Sequence, residues 1–122
     1  MNTLHELTTR LDQLAIEAKR IGDRRWPRPS AYFYGRAFAF ETALGDLRET
    51  ATDPITLEKL GIMWGELALA VRLRAAERGE DIPPDEYAYH SGVADGLTNA
   101  VQELFDAIAR MAPSIEENGV RT

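Results

Sequence analysis

The chain has 122 residues, of which 44% are hydrophobic and 28% are charged, which is the composition of a single folded domain rather than a disordered segment. It contains no cysteine, which excludes disulfides and thiol chemistry and favours a cytoplasmic location. The formal net charge of −6 makes nucleic acid and an anionic membrane unfavourable partners. No apolar run approaches the roughly 18 residues that a membrane span needs.

The first segment has the apolar spacing of a helix that packs against another helix. Its apolar residues alternate three and four positions apart: Leu4, Leu7, Leu11, Leu14, Ala18 and Ile21. Thr3 and Glu6 fit a capping box at its start. Gly22 has the residue type that most often ends a helix. These signals predict helix one over about 3–21.

Proline and capping residues divide the rest of the chain. Two prolines exclude a helix over 22–30, and Ser30 is predicted to cap helix two, about 31–50. Asp53 followed by Pro54 is typical of a helix start. The remaining predictions are helix three at about 54–78, helix four at about 86–111 with Asp85 as its cap, a single helical domain over 1–113 and a mobile C-terminal tail over 114–122.

Helix three has apolar residues on two faces. One stripe consists of Leu57, Leu60, Trp64, Leu67 and Val71. The other, at seven-residue intervals, consists of Ile55, Ile62, Leu69 and Ala76. Two apolar faces predict burial on two sides, and therefore a central position for helix three in the fold.

Helices two and four resemble each other at an offset of 57 residues. In both, small residues recur at every fourth position: Gly35, Ala39 and Ala43 in helix two, and Gly92, Gly96 and Ala100 in helix four. Residues four apart share a helix face, so each triplet predicts a flat groove in which another backbone can lie closely. The pattern suggests two duplicated helix hairpins that cross at these grooves, and a crossing between two copies of the chain is the alternative.

No signature of catalysis, cofactor binding or metal binding stands out. His5 and His90 are the two histidines; His90 follows Glu86 by four residues, which predicts a surface pair. Glu77 and Glu80, followed by Glu103 and Asp106, give an ExxE…ExxD pattern. This pattern resembles the all-α nucleoside triphosphate pyrophosphohydrolases of the MazG kind, and the resemblance implies that the four carboxylates bind Mg²⁺ on facing helices.

A surface segment rich in arginine and tryptophan is the candidate partner-binding site. Its residues are Arg24, Arg25, Trp26, Arg28 and Tyr32. Arginine and tryptophan are enriched where interfaces concentrate their binding energy. The alternative is that Trp26 folds back onto the bundle as a structural lid.

The sequence therefore predicts an all-α, single-domain, antiparallel four-helix bundle that binds another protein, without catalysis or a cofactor, and that self-associates. Its short, acidic, arginine-rich character resembles that of accessory proteins of phages and mobile elements, including inhibitors of host defence. The alternatives are the Mg²⁺-dependent pyrophosphohydrolase and a structural subunit of a larger assembly.

Overall fold

A computed structural model describes residues 3–24, 30–50 and 53–111. Its four helices are α1 (Thr3–Arg24), α2 (Ser30–Glu49), α3 (Pro54–Arg78) and α4 (Pro84–Met111), with a short 3₁₀ turn at Gly79–Asp81. The predicted all-α, four-helix architecture is confirmed. None of the described helices has an apolar stretch long enough to cross a bilayer. The predicted tail at 114–122 lies outside the described residues.

The start of α3 is fixed by its cap, as the sequence predicts. The Asp53 carboxylate accepts a hydrogen bond from the backbone N–H of Thr56 at 3.1 Å and another from the Thr56 hydroxyl. The hydroxyl bond and then the backbone bond lower the pKa of Asp53. Pro54 occupies the first helical position, where its missing N–H costs nothing.

Two predicted helix ends are wrong. Gly22 does not end α1, which continues to Arg24. A Cβ at position 22 would lie 3.0 Å from the Tyr34 ring, so this glycine makes room for α2, and its carbonyl accepts a hydrogen bond from the Ser30 hydroxyl. Likewise α4 begins at Pro84 instead of after Asp85, because proline is well suited to the first turn of a helix.

The two central helices are α2 and α4, so the prediction that α3 is central is wrong. α1 packs against α2, α3 packs against α4, and α2 packs against α4. The N-terminal half of α2 contacts the N-terminal half of α4: Gly35 lies near Tyr89, and Ala39 near Gly96. These two helices therefore run in the same direction. The order across the molecule is α1, α2, α4, α3.

The 57-residue offset extends beyond α2 and α4 to the outer helices. Pairs of positions 57 residues apart are buried together: Leu7 with Trp64, Leu11 with Ala68, Ala18 with Ala75, Phe40 with Leu97, Ala43 with Ala100 and Leu47 with Leu104. The hairpins α1–α2 and α3–α4 thus occupy equivalent places, related by a pseudo-two-fold axis that runs between α2 and α4. Below, residues 57 positions apart are called equivalent.

Candidate functional site

The small residues of α2 and α4 bring the two backbones into contact within one chain. A Cβ atom on Gly35 would overlap the carbonyl oxygen of Tyr89, and one on Gly92 would overlap the carbonyl oxygen of Tyr32. Tyr32 and Tyr89 are themselves equivalent, so the two contacts are the same contact made twice about the pseudo-two-fold axis. Only glycine fits at either position.

The remaining small residues line the same crossing. A Cβ on Gly96 would lie 2.7 Å from the Cβ of its equivalent, Ala39, which places this pair on the axis. Ala43 and Ala100 are fully buried. These six positions are therefore occupied inside the chain, and we assign them a structural role.

A polar network ties the crossing to α3. The Tyr32 hydroxyl donates to Asp95 Oδ2 at 2.6 Å, and Arg72 of α3 donates to Asp95 Oδ1 at 2.9 Å and to Thr98 Oγ1 at 3.3 Å. Partial burial raises the pKa of Asp95, but the hydrogen bonds from Tyr32 and Arg72 outweigh it and leave that pKa below its usual value. Tyr32, expected in the partner-binding segment, thus has its hydroxyl engaged inside the fold.

A groove of about 280 Å³ lies between α3 and the first half of α4, lined by Arg72, Tyr87, His90, Ser91 and Asp95, among others. Arg72 and Asp95, which line this groove, form an ion pair, and Glu86 lies next to His90 outside the lining. Arg78 donates to Glu86 at 2.6 Å and lowers the Glu86 pKa, and His90 lies 3.6 Å from Glu86 as the sequence predicts.

Of the ExxE…ExxD pattern, Glu77 does not converge with Glu103 and Asp106. Gly61 of α3 lies beside Leu104 of α4, so Glu103 is near the start of α3 while Glu77 is near its end, roughly 20 Å away at 1.5 Å per residue. Glu103 instead pairs with Arg10 of α1 at 3.3 Å, and Asp106 is exposed. Within the described residues no group of three His, Asp or Glu side chains could hold a metal ion.

The predicted partner-binding segment is only partly described. Arg24 is exposed at the last residue of α1. Arg25, Trp26 and Arg28 lie outside the described residues. The contact site and the lid therefore both stay predictions.

The outer face of α3 is a site that sequence reasoning misplaced in the core. Ile55 and Leu73 each lie nine residues from the buried Trp64, which is about 2.5 helical turns and therefore the opposite side. Ile55, Ile62, Leu69 and Leu73 are 69%, 51%, 56% and 54% exposed, and Ala76 is also exposed. We call these five residues the outer stripe. Leu67, predicted to be in the buried stripe, is also largely exposed at its flank.

The equivalent face of α1 shows what this position in the fold requires. Ile62, Leu69 and Ala76 are equivalent to His5, Asp12 and Lys19, and all three α1 residues are exposed. On the flank, Met63, Leu67 and Ala70 are equivalent to Glu6, Arg10 and Gln13. Only Ile16, equivalent to Leu73, is apolar on both helices. The fold therefore accepts a polar outer face, and α3 does not have one.

Comparisons of the chain with models of protein families, with curated proteins and with solved structures found no match.

Proposed function

We propose that this protein is a non-catalytic interaction module that binds another protein through the outer stripe of α3. The observation that carries the proposal is the contrast between equivalent faces: where α1 has His5 and Asp12, α3 has Ile62 and Leu69. Both helices form and pack, so a helix at this place in the fold does not need apolar residues on its outer face. A row of exposed apolar residues along one helix face is typical of a protein–protein contact.

The energetics favour a specific contact over mere exposure. Burial of a whole Leu or Ile side chain contributes about 1.5–3 kcal/mol, and each large member of the outer stripe has about half or more of its surface left to bury. Burial of these residues by a partner works against the loss of translational and rotational freedom on association. An accessory or inhibitory role, as the sequence suggests, would act through this surface.

The enzyme alternative receives no support from the described geometry. Glu77 and Glu103 are at opposite ends of the α3–α4 hairpin, whereas a Mg²⁺ site needs its carboxylate oxygens around one ion. The groove beside His90 has its charges already neutralised by ion pairs.

Site-specific photo-crosslinking tests the proposal with an internal control. A photoreactive amino acid is placed at Leu69 in one variant and at the equivalent Asp12 in another, and each is activated in the cells that produce the protein. We expect one discrete crosslinked product at position 69 and none at position 12. The product should disappear when Ile62 is also replaced by His, the residue that α1 has there. No product at position 69, or the same products at both positions, would contradict the proposal.

A further inference from the structure

We infer that the partner of the outer stripe is a second copy of this chain, which pairs its own α3 antiparallel to the first about a two-fold axis next to Gly65. The inference rests on the proposed function, because it names the partner of the same surface. It specifies the geometry as well as the occupant.

The spacing of the outer stripe favours a second helix as the element that binds it. Ile55, Ile62, Leu69 and Ala76 recur every seven residues, the period at which two helices keep one seam in contact along their length. The stripe extends over 21 residues, or roughly 32 Å at 1.5 Å per residue. A standard dimer interface buries about 800 Å² per partner, which is a patch about 30 Å across. The stripe is therefore as long as a standard interface is across, and the exposed residues at its flank, Met63, Leu67 and Ala70, widen the apolar surface.

The distribution of charge favours α3 as the place where two copies meet. The chain has a net charge of −6, so two copies repel each other. Of the four helices, only α3 has more basic than acidic residues: Lys59, Arg72, Arg74 and Arg78 against Glu58, Glu66 and Glu77. α4 has five acidic residues and one arginine. The apolar stripe thus lies on the helix where a second acidic chain meets the least repulsion.

The charges beside the stripe favour an antiparallel orientation of the two α3 helices. In a parallel pair, Glu58 and Arg72, which lie three residues after Ile55 and Leu69 in the middle of the seam, would each face its own copy, which gives two like-charge contacts. In an antiparallel pair centred between residues 65 and 66, the midpoint of the stripe, Glu58 lies beside Arg72 of the second copy. Only Glu66 then remains close to its own copy. Arg72 is about half exposed and retains donors for a second carboxylate.

Gly65 lies at the centre of this pairing. A Cβ at position 65 would have no atom of the described residues within 4 Å, so packing among those residues does not require glycine there. A mid-helix glycine costs about 1 kcal/mol relative to alanine. On the two-fold axis it lets the second α3 approach closely, as Gly35 and Gly92 do for α2 and α4.

The state of association is the first test. Sedimentation equilibrium of the purified chain should give twice the 13.6 kDa mass of the monomer at tens of micromolar protein. The double variant Ile62→His with Leu69→Asp, which takes its residues from α1, should sediment as a monomer with unchanged helix content, at least tenfold weaker in association. Phe38→Ser removes an equally exposed apolar residue from α2 and should remain dimeric. A monomeric wild type, or a dimer that survives the double variant, would overturn the inference.

Cysteine pairing tests the orientation, since the native chain has no cysteine. We expect a mixture of Ile62→Cys and Leu69→Cys chains to form disulfide-linked dimers on mild oxidation. Each variant alone should not, because position 62 is displaced from its own copy by about 10 Å along the helices. A disulfide requires Cα atoms within about 7 Å. Efficient pairing of either variant with itself would indicate a parallel dimer, and no pairing in the mixture would exclude this register.

The two proposals fail in distinguishable ways. If the purified chain is monomeric but the photoreactive residue at Leu69 gives a product whose mass differs from that of a dimer, the second-copy inference is wrong and the interaction module stands. If the chain is monomeric and position 69 gives no product, both are wrong.

Discussion

Gly35 and Gly92 have the strictest steric requirement of the described residues. Each faces the backbone carbonyl of a tyrosine in the opposite helix, and backbone, unlike a flexible side chain, has no alternative rotamer. The equivalence of the two contacts about the pseudo-two-fold axis doubles the constraint, because a shift that relieves one moves the other.

Gly92→Ala should therefore destabilise the protein by at least about 2–3 kcal/mol, at the upper end of what one added methyl group costs in a packed core. Gly45→Ala is the matched control in α2, because a Cβ at position 45 would meet no atom within 4 Å in the part of the chain that the structure describes. It should raise the free energy of unfolding by about 0.5–1 kcal/mol through helix propensity. Urea unfolding followed by circular dichroism measures both. Equal stability of the two variants would contradict the close crossing.

Asp95 gives the network around Tyr32 a dependence on pH. Its folded-state pKa is lowered by Tyr32 and Arg72, so its stabilising contribution is present above the unfolded pKa of about 3.9 and is lost as the pH falls through the folded value. Asp95→Asn should lower the free energy of unfolding by about 0.5–1 kcal/mol at pH 7, since exposure of the carboxylate screens its charge. Below the folded pKa, urea unfolding of wild type and variant should coincide. A stability difference unchanged at low pH would assign the effect to packing instead.

α3 is a helix with two apolar faces that have different roles. Its inner face holds Trp64, which is fully buried and donates from Nε1 to Asp46 Oδ2 of α2 at 2.8 Å. Its outer face holds the outer stripe. In the equivalent helix α1 the inner face is apolar, with Leu7 at the position equivalent to Trp64, and the outer face is mostly polar.

Alanine at the two faces of α3 should separate folding from association. Trp64→Ala should cost about 3–5 kcal/mol, because it leaves a large cavity and an unpaired Asp46. Ile62→Ala, two residues earlier, should change the free energy of unfolding by no more than about 0.5 kcal/mol at low protein concentration, where the chain is monomeric. Chemical denaturation at low micromolar protein measures both. A large loss for Ile62→Ala under these conditions would place Ile62 in the core and contradict the proposed surface.

At the scale of the whole molecule, the close approach of α2 and α4 sets the shape. In a square bundle with alternating helix directions, α2 and α4 would be diagonal neighbours and α3 would pack along its length against both of them. Gly35 and Gly92 shorten the distance between the axes of α2 and α4, because they let the two backbones touch. α1 and α3 are thereby moved to opposite sides, and each keeps one face exposed.

Salt should strengthen the proposed dimer. Each copy has a net charge of −6, and the contact is mainly apolar, so screening reduces repulsion more than it weakens attraction. We expect the dissociation constant from sedimentation equilibrium to fall several-fold between low salt and about 0.3 M NaCl, where the Debye length is below 10 Å. A dissociation constant that rises with salt would indicate an interface held by ion pairs.

The sequence by itself determined the four helices and the faces of α2 and α4 that cross, whereas only the structure showed that they cross within one chain. The signals that predicted them are local, and each involves residues within a few helical turns of one another. They are the apolar spacing in α1 and α4, the Asp53–Pro54 start of α3, and the small residues at every fourth position of α2 and α4. Helix ends were less accurate because Gly22 has a packing role that only its contact with Tyr34 reveals.

Only the tertiary structure decided which apolar face of α3 is covered. Helical periodicity shows that Ile62 and Leu69 share a face, but it does not show whether another helix lies against that face. That depends on how far apart α1 and α3 are held, which follows from the distance between α2 and α4. The same applies to Glu77 and Glu103, whose spacing in the chain resembles a metal motif although the hairpin places them at opposite ends. Contact between distant parts of the chain is a property of packing, and packing left the outer stripe of α3 exposed.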